Sequence, residues 1–123
     1  MRHFLGHQGN MYIMCGRLDQ NDISRLIADF AWVGEIYNRS QAENRFNVSP
    51  GTMRPVIHVH DVDLYVDDMP WGYRSLFAEK SNKIPVAINT WLKKISGRYW
   101  GGLLKRGRVI VPANGWYESP RYT

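Results

Sequence analysis

The segment Asn47-Val48-Ser49-Pro50-Gly51 restricts the fold of this 123-residue chain more than any other. Proline fixes one backbone dihedral and glycine admits a positive one, so the chain must turn there. Beyond it the sequence is extended. Pro55 to His60 alternates Ile57 and Val59 with His58 and His60, Asp61-Val62-Asp63 can turn, and Leu64 to Val66 returns, which predicts a hairpin. Met69-Pro70-Trp71-Gly72-Tyr73 predicts a short strand with its two aromatics on one side, and Pro85-Val86-Ala87-Ile88-Asn89 predicts another. Arg108 to Val111 reads as a buried type of strand, followed by the tight-turn signal Asn114-Gly115.

Upstream of the turn, residues 22–33 predict one helix: Ile23, Leu26, Ile27 and Phe30 share a face, with Asn21 or Asp19 available as cap. The expected class is therefore α+β, mostly antiparallel β with one N-terminal helix. At 44% hydrophobic and 13% aromatic residues the chain has material for a core, and its length suits one domain or part of one. It contains no repeats and no low-complexity tracts.

Residues 1–13 lack periodicity and read as a leader without structure, or as sequence upstream of the working start at Met14. They lack the apolar core of a secretory signal, and no stretch approaches the roughly 18 apolar residues that span a membrane. The single cysteine excludes an internal disulfide and a cysteine-cluster zinc site. The expectation is a cytoplasmic protein without a membrane partner or cofactor. A net charge of +5 favours a polyanionic partner. Lys93, Lys94, Arg98, Lys105, Arg106 and Arg108 crowd one segment with Trp91, Tyr99 and Trp100. That mixture suits phosphates and unpaired bases, and it equally suits a solvated surface loop.

Cys15, in Met14-Cys15-Gly16-Arg17, admits two readings. Within an intact arm it is an ordinary buried cysteine. If the bond before it is cut, one residue carries an α-amine and a thiol on adjacent carbons, and both titrate within about two units of neutrality. Such a pair traps aldehydes: the amine condenses to an imine and the thiol closes a five-membered thiazolidine. His58-x-His60 puts two imidazoles on one strand face, a spacing compatible with metal, but nothing supplies the further ligands and a solvent-facing strand surface is favoured.

Taken together, these pieces resemble the SRAP family, the SOS-response-associated peptidases that shield abasic sites in single-stranded DNA. The resemblance rests on Met14-Cys15-Gly16-Arg17, Arg45-Phe46-Asn47-Val48-Ser49-Pro50-Gly51, Pro70-Trp71-Gly72-Tyr73, Ile88-Asn89, and the run from Gly107 through Pro112-Ala113-Asn114-Gly115-Trp116-Tyr117-Glu118. It implies a barrel-like fold and a catalytic set of Cys15, Asn89 and Glu118. Cys15, once terminal, would attack the ring-opened aldehyde of an abasic deoxyribose; Asn89 would position cysteine and sugar; Glu118, as a partly buried carboxylate, would move protons. Taken without the family, Asn89 is a turn amide, Glu118 a surface carboxylate and Arg17 a surface cation.

Single-stranded DNA with abasic sites is the implied partner. Arg17, Asn47, Trp91, Lys93, Lys94 and Arg98 are the candidate DNA-binding residues. Trp71, Trp91, Trp100 and Trp116 could stack on flanking bases, although Trp71 and Trp116 lie in strand-like runs that favour the core.

The chain departs from the family in two places. After Ile88-Asn89 the family usually continues alanine, arginine, any residue, glutamate; here Thr90-Trp91-Leu92-Lys93 follows. Thr123 also precedes the family's later strands and its catalytic histidine, and none of His3, His7, His58 and His60 matches that position. The expectation is residues 14–123 as the N-terminal part of one such domain, with an incomplete barrel whose apolar faces self-association would cover. The competing expectation is a non-catalytic basic module for single-stranded nucleic acid, or an inactive fragment.

Overall fold

The computed structural model of the protein describes residues 11–74, 86–90 and 92–122. Ten residues at the N-terminus, residues 75–85, Trp91 and Thr123 lie outside that description. The architecture is α+β and strand-rich, built on two three-stranded sheets, with no closed barrel among the described residues.

The first sheet has β1 (Met11–Gln20) at its centre, flanked antiparallel by β3 (Arg45–Val48) and β6 (Gly115–Tyr122). In the second, β5 (Asp63–Pro70) is central, antiparallel to β4 (Met53–His60) and parallel to β2 (Ile36–Asn38). The hairpin expected from alternating residues is β4–β5, with Asp61 in the left-handed region (φ 56°) at its turn. The turn after Asn47 is present too. Gly51 has φ 85°, where a side chain is strained, and Thr52 Oγ1 donates to the Ser49 carbonyl at 2.7 Å.

The helix starts as expected but ends early. α1 covers Ile23–Ala28, capped by Asp22, whose carboxylate accepts from the Arg25 amide at 3.3 Å. It is neither Asn21 nor Asp19 that caps it. A separate 3-10 turn follows at Ala31–Val33, because Trp32 (83% exposed) and Val33 have no buried face to hold a continuing helix. Ile23 and Ile27 bury against Ile57 and Val66, with Phe30, Ile36, Ala42 and Leu64 packed around them. This core sits between α1 and the second sheet.

A polar spine joins the two sheets. Gln20, at the end of β1, is fully buried; its Nε2 donates to the Pro112 carbonyl at 2.6 Å and its Oε1 accepts from Arg54 Nε at 2.7 Å. Arg54, on β4 and 4% exposed, also donates to the Glu43 carbonyl at 3.1 Å. Burial, and then the neighbouring Arg45, push the Arg54 guanidinium below its ordinary value.

Several expected elements differ. Met11, Tyr12 and Ile13, read as leader, are extended and paired with β6. Trp71 to Tyr73 leave the strand, and Tyr73 instead forms a single bridge with Ala87, the only paired residue of the strand expected at 85–89, of which Pro85 lies outside the described residues. The stretch 108–111 is no buried strand: Ile110 bridges Ile57 on the free edge of β4, and Val109, Ile110 and Val111 are 40–49% exposed. A strand persists only where a partner supplies a ladder, and each of these segments meets its partner at one residue. The basic segment adds two short elements, a 3-10 turn at Leu92–Lys94 and the helix α2, Gly101–Arg106.

Candidate functional site

Cys15 lies in the middle of β1, opposite Glu118 on β6. Cross-strand neighbours share a face of the sheet, so the thiol and the carboxylate emerge side by side. Immediately after this pair the register slips between Cys15 and Arg17, a bulge that leaves Gly16 unpaired. A Cβ at Gly16 would meet nothing within 4 Å. The bulge brings the Cys15 Sγ to 3.5 Å from the Arg17 carbonyl.

The third member arrives from a distant loop. Asn89 Nδ2 donates to the Cys15 carbonyl at 2.6 Å. Its loop is fixed by the Pro70-Trp71-Gly72-Tyr73 motif. Trp71 Nε1 donates to the Ile88 carbonyl at 3.2 Å, and Tyr73 and Ala87 exchange backbone hydrogen bonds of 2.7 and 2.8 Å. Gly72 has to be glycine: its φ is 135°, and a Cβ there would stand 2.6 Å from Val86 Cγ1. The sequence motif thus acts as a bracket for Asn89.

The thiol is half-buried and its pKa is raised. Burial is the main cause; the hydrogen bond to the Arg17 carbonyl opposes the shift, and the negative charge of Glu118 adds to it. Glu118 is exposed rather than partly buried, and its Oε1 accepts from Trp116 Nε1 at 2.7 Å. Trp116, whose strand-like run favours the core, is instead 56% exposed. Its contact with Glu118 is an i, i+2 pair on one face of β6, and that spacing is the sequence signal for its place at the site. Tyr117, on the opposite face, donates to the Phe46 carbonyl at 3.0 Å and ties β6 to β3.

Beside Asn89 lies an open cleft of about 250 Å³, lined by Tyr73, Ala87, Ile88, Asn89, Thr90 and Trp100 among others. Tyr73, Tyr99 and Trp100 form a ring cluster with all three centroid separations at 5.2 Å. Trp100 is therefore packed against other rings, and Trp71 is half-buried with its nitrogen engaged.

Of the other candidate residues, Arg17 is exposed on β1 opposite Tyr117, and Asn47 is exposed on β3. Lys93 and Lys94 are exposed on the 3-10 turn and Arg98 is exposed before α2, while Trp91 lies outside the described residues. Arg108 caps α2 by donating to the Leu104 carbonyl at 2.7 Å. The two strand histidines part company: His58 Nε2 pairs with Asp67 Oδ2 at 2.6 Å, while the His60 side chain is 72% exposed. Among the described residues no group of His, Cys, Asp or Glu could hold a metal ion, and no helix is long and apolar enough to cross a membrane.

Comparison with known proteins agrees with the motifs. The SOS response associated peptidase (SRAP) family matches residues 14–122. The abasic site processing protein YedK of Escherichia coli (strain K12) is 30% identical over 109 residues, covering 85% of this chain and 47% of YedK. The chain thus spans about half the length of that relative. No solved structure matches the chain significantly. With the family match running from the residue before Cys15 to the end of β6, the chain belongs to the SOS response associated peptidase family.

Proposed function

We propose that the protein processes abasic sites in single-stranded DNA, using Cys15 with a free α-amine to form a thiazolidine with the abasic deoxyribose. The supporting observation is the convergence of a thiol, a carboxylate and an amide from three separate segments at Cys15, Glu118 and Asn89. Self-removal of residues 1–14 supplies the amine. The Cys15 thiol adds to the Met14 carbonyl, the peptide C–N bond breaks as the amine takes a proton, and water hydrolyses the thioester to restore the thiol.

Capture then runs in two steps. The α-amine adds to C1′ of the ring-opened sugar and loses water to give an imine; the thiol adds to the same carbon, its proton passing to nitrogen. Glu118 stands where it can carry protons in both steps, and Trp116 holds one of its oxygens in place. Asn89 fixes the Cys15 backbone without adding charge. Arg17, Asn47, Trp91, Lys93, Lys94 and Arg98 hold the flanking strand, which makes binding fall with salt. An unpaired strand exposes the sugar without displacing a complement, and the compartment is the one that contains the DNA. The exposed Val109 to Val111 give a second copy of the chain a surface to cover.

The test is incubation with an oligonucleotide containing one abasic site. A heat-stable complex that is lost in Cys15→Ala supports capture. Salt-sensitive binding without a covalent complex supports a second reading, a non-catalytic nucleic-acid module, which the exposed cations around α2 favour. No binding at all marks an inactive fragment.

A further inference from the structure

Resting on the reading of Cys15 as a residue that acts through a freed α-amine, we propose that Ser119 to Tyr122 of β6 form a peptide-binding strand. Its ligand is the chain's own leader, and it presents the Met14–Cys15 bond to the thiol as extended backbone. The carrying observation is one of register. β1 does not begin at the reactive residue: Met11 to Met14 continue it, running opposite Tyr122 back to Ser119, and Cys15 follows opposite Glu118. Both sides of the bond to be cut are therefore held by one strand. β3 pairs with β1 only at Leu18 and Gln20, so among the described residues β6 alone holds the leader. The ladder is continuous through the scissile bond and slips just after it, between Cys15 and Arg17. Gly16 in that bulge is unpaired, so the ladder that holds the leader ends one residue past the bond to be cut.

Strand addition of this kind draws its affinity from main-chain hydrogen bonds, so it depends on backbone amides more than on leader side chains. It also outlasts the cut. Once water has released the thioester, the leader ends in a carboxylate at Met14, still on β6 and beside the new ammonium of Cys15. An adjacent anion favours the charged amine, and a protonated amine cannot condense with an aldehyde. The nicked complex is thus a latent form, and departure of the leader peptide completes activation.

Two measurements decide this. In the full chain, Tyr12→Pro with Ile13→Pro removes two successive amides, one of which belongs to the ladder in either phase. Intact mass followed over time should show the leader retained about tenfold longer than in the parent chain, while Tyr12→Ala with Ile13→Ala is cleaved at close to the parent rate. Equal cleavage in the proline variant, with circular dichroism showing it folded, overturns the proposal. In the second measurement, protein beginning at Cys15 is titrated with a synthetic peptide of residues 1–14. Abasic-site capture should slow about tenfold at a peptide concentration about ten times its dissociation constant, and the proline peptide should have no effect. Capture unaffected by millimolar peptide contradicts the proposal. If this protein captures no abasic DNA, the underlying reading of Cys15 fails. Anisotropy of the labelled peptide on the same protein still decides the strand site: saturable binding that the proline peptide loses supports it, and no binding overturns it.

Discussion

The side-chain amide of Asn89 donates to the backbone carbonyl of Cys15 at 2.6 Å, across 74 positions of sequence. That bond locks the carbonyl, and hence the peptide plane leading into the bulge, while leaving the thiol and amine positions untouched. Asn89→Ala should therefore slow capture without abolishing it. A single hydrogen bond contributes about 0.5–1.5 kcal/mol, so the expected loss is roughly twofold to tenfold in single-turnover gel assays. No change in rate would remove Asn89 from the positioning role.

The thiol offers a second check. Burial and the charge of Glu118 both raise its pKa, so at neutral pH it is mostly the neutral thiol. Alkylation by iodoacetamide should rise with pH to an inflection above that of an ordinary cysteine. Glu118→Gln removes one of the raising causes and should move the inflection down. In the same variant capture should fall by roughly 10²-fold, since a proton carrier is lost. A lower inflection combined with unchanged capture would leave Glu118 with an electrostatic influence and no catalytic part.

On the second sheet, Asp67 accepts from Arg39 Nε at 2.8 Å and Nη2 at 2.5 Å, and pairs with His58. These partners, Arg39 first, hold its carboxyl down at about 2. An ordinary aspartate titrates near about 3.9 in an unfolded chain. The depressed folded value means that the linked stability is present above the unfolded pKa and is lost as pH falls from about 4 toward 2. Thermal melts across that window should show a steeper decline for the parent chain than for Asp67→Asn. Parallel curves would show that the cluster does not contribute.

Gln20 is the hinge of the polar spine. Gln20→Leu strips a partner from the buried Arg54 Nε and from the Pro112 carbonyl. A buried polar group left unsatisfied costs about 1–3 kcal/mol, and more when charged. Urea unfolding of Gln20→Leu should give a loss of at least about 2 kcal/mol. A variant as stable as the parent would show that water replaces these bonds.

The sequence was most legible where period and turn chemistry act locally. The β4–β5 hairpin, the turn at Gly51 and the start of α1 all followed from alternation, proline, glycine and a buried face. Strands at 85–89 and 108–111 did not follow, because hydrophobic runs state a preference while a ladder needs a partner, and Ala87 and Ile110 each find one for a single residue. The end of α1 was set by the exposure of Trp32, and the exposure of Trp116 by its place on β6, neither visible in one dimension. Cys15, Asn89 and Glu118 came together in the sequence only through the family resemblance, since no spacing rule links positions so far apart. The strand pairing of Met11 to Ile13 was hidden for the same reason: its partner lies at the far end of the described chain.

The most direct test of the central claim is the mass of the peptide that becomes linked to DNA. Protein is incubated with an abasic oligonucleotide without added reductant, then digested with nuclease and protease. The account predicts a peptide that begins at Cys15 and carries the deoxyribose remnant less one water, as a thiazolidine requires. A remnant found on a lysine, or a linked peptide that still contains Met14, would contradict it.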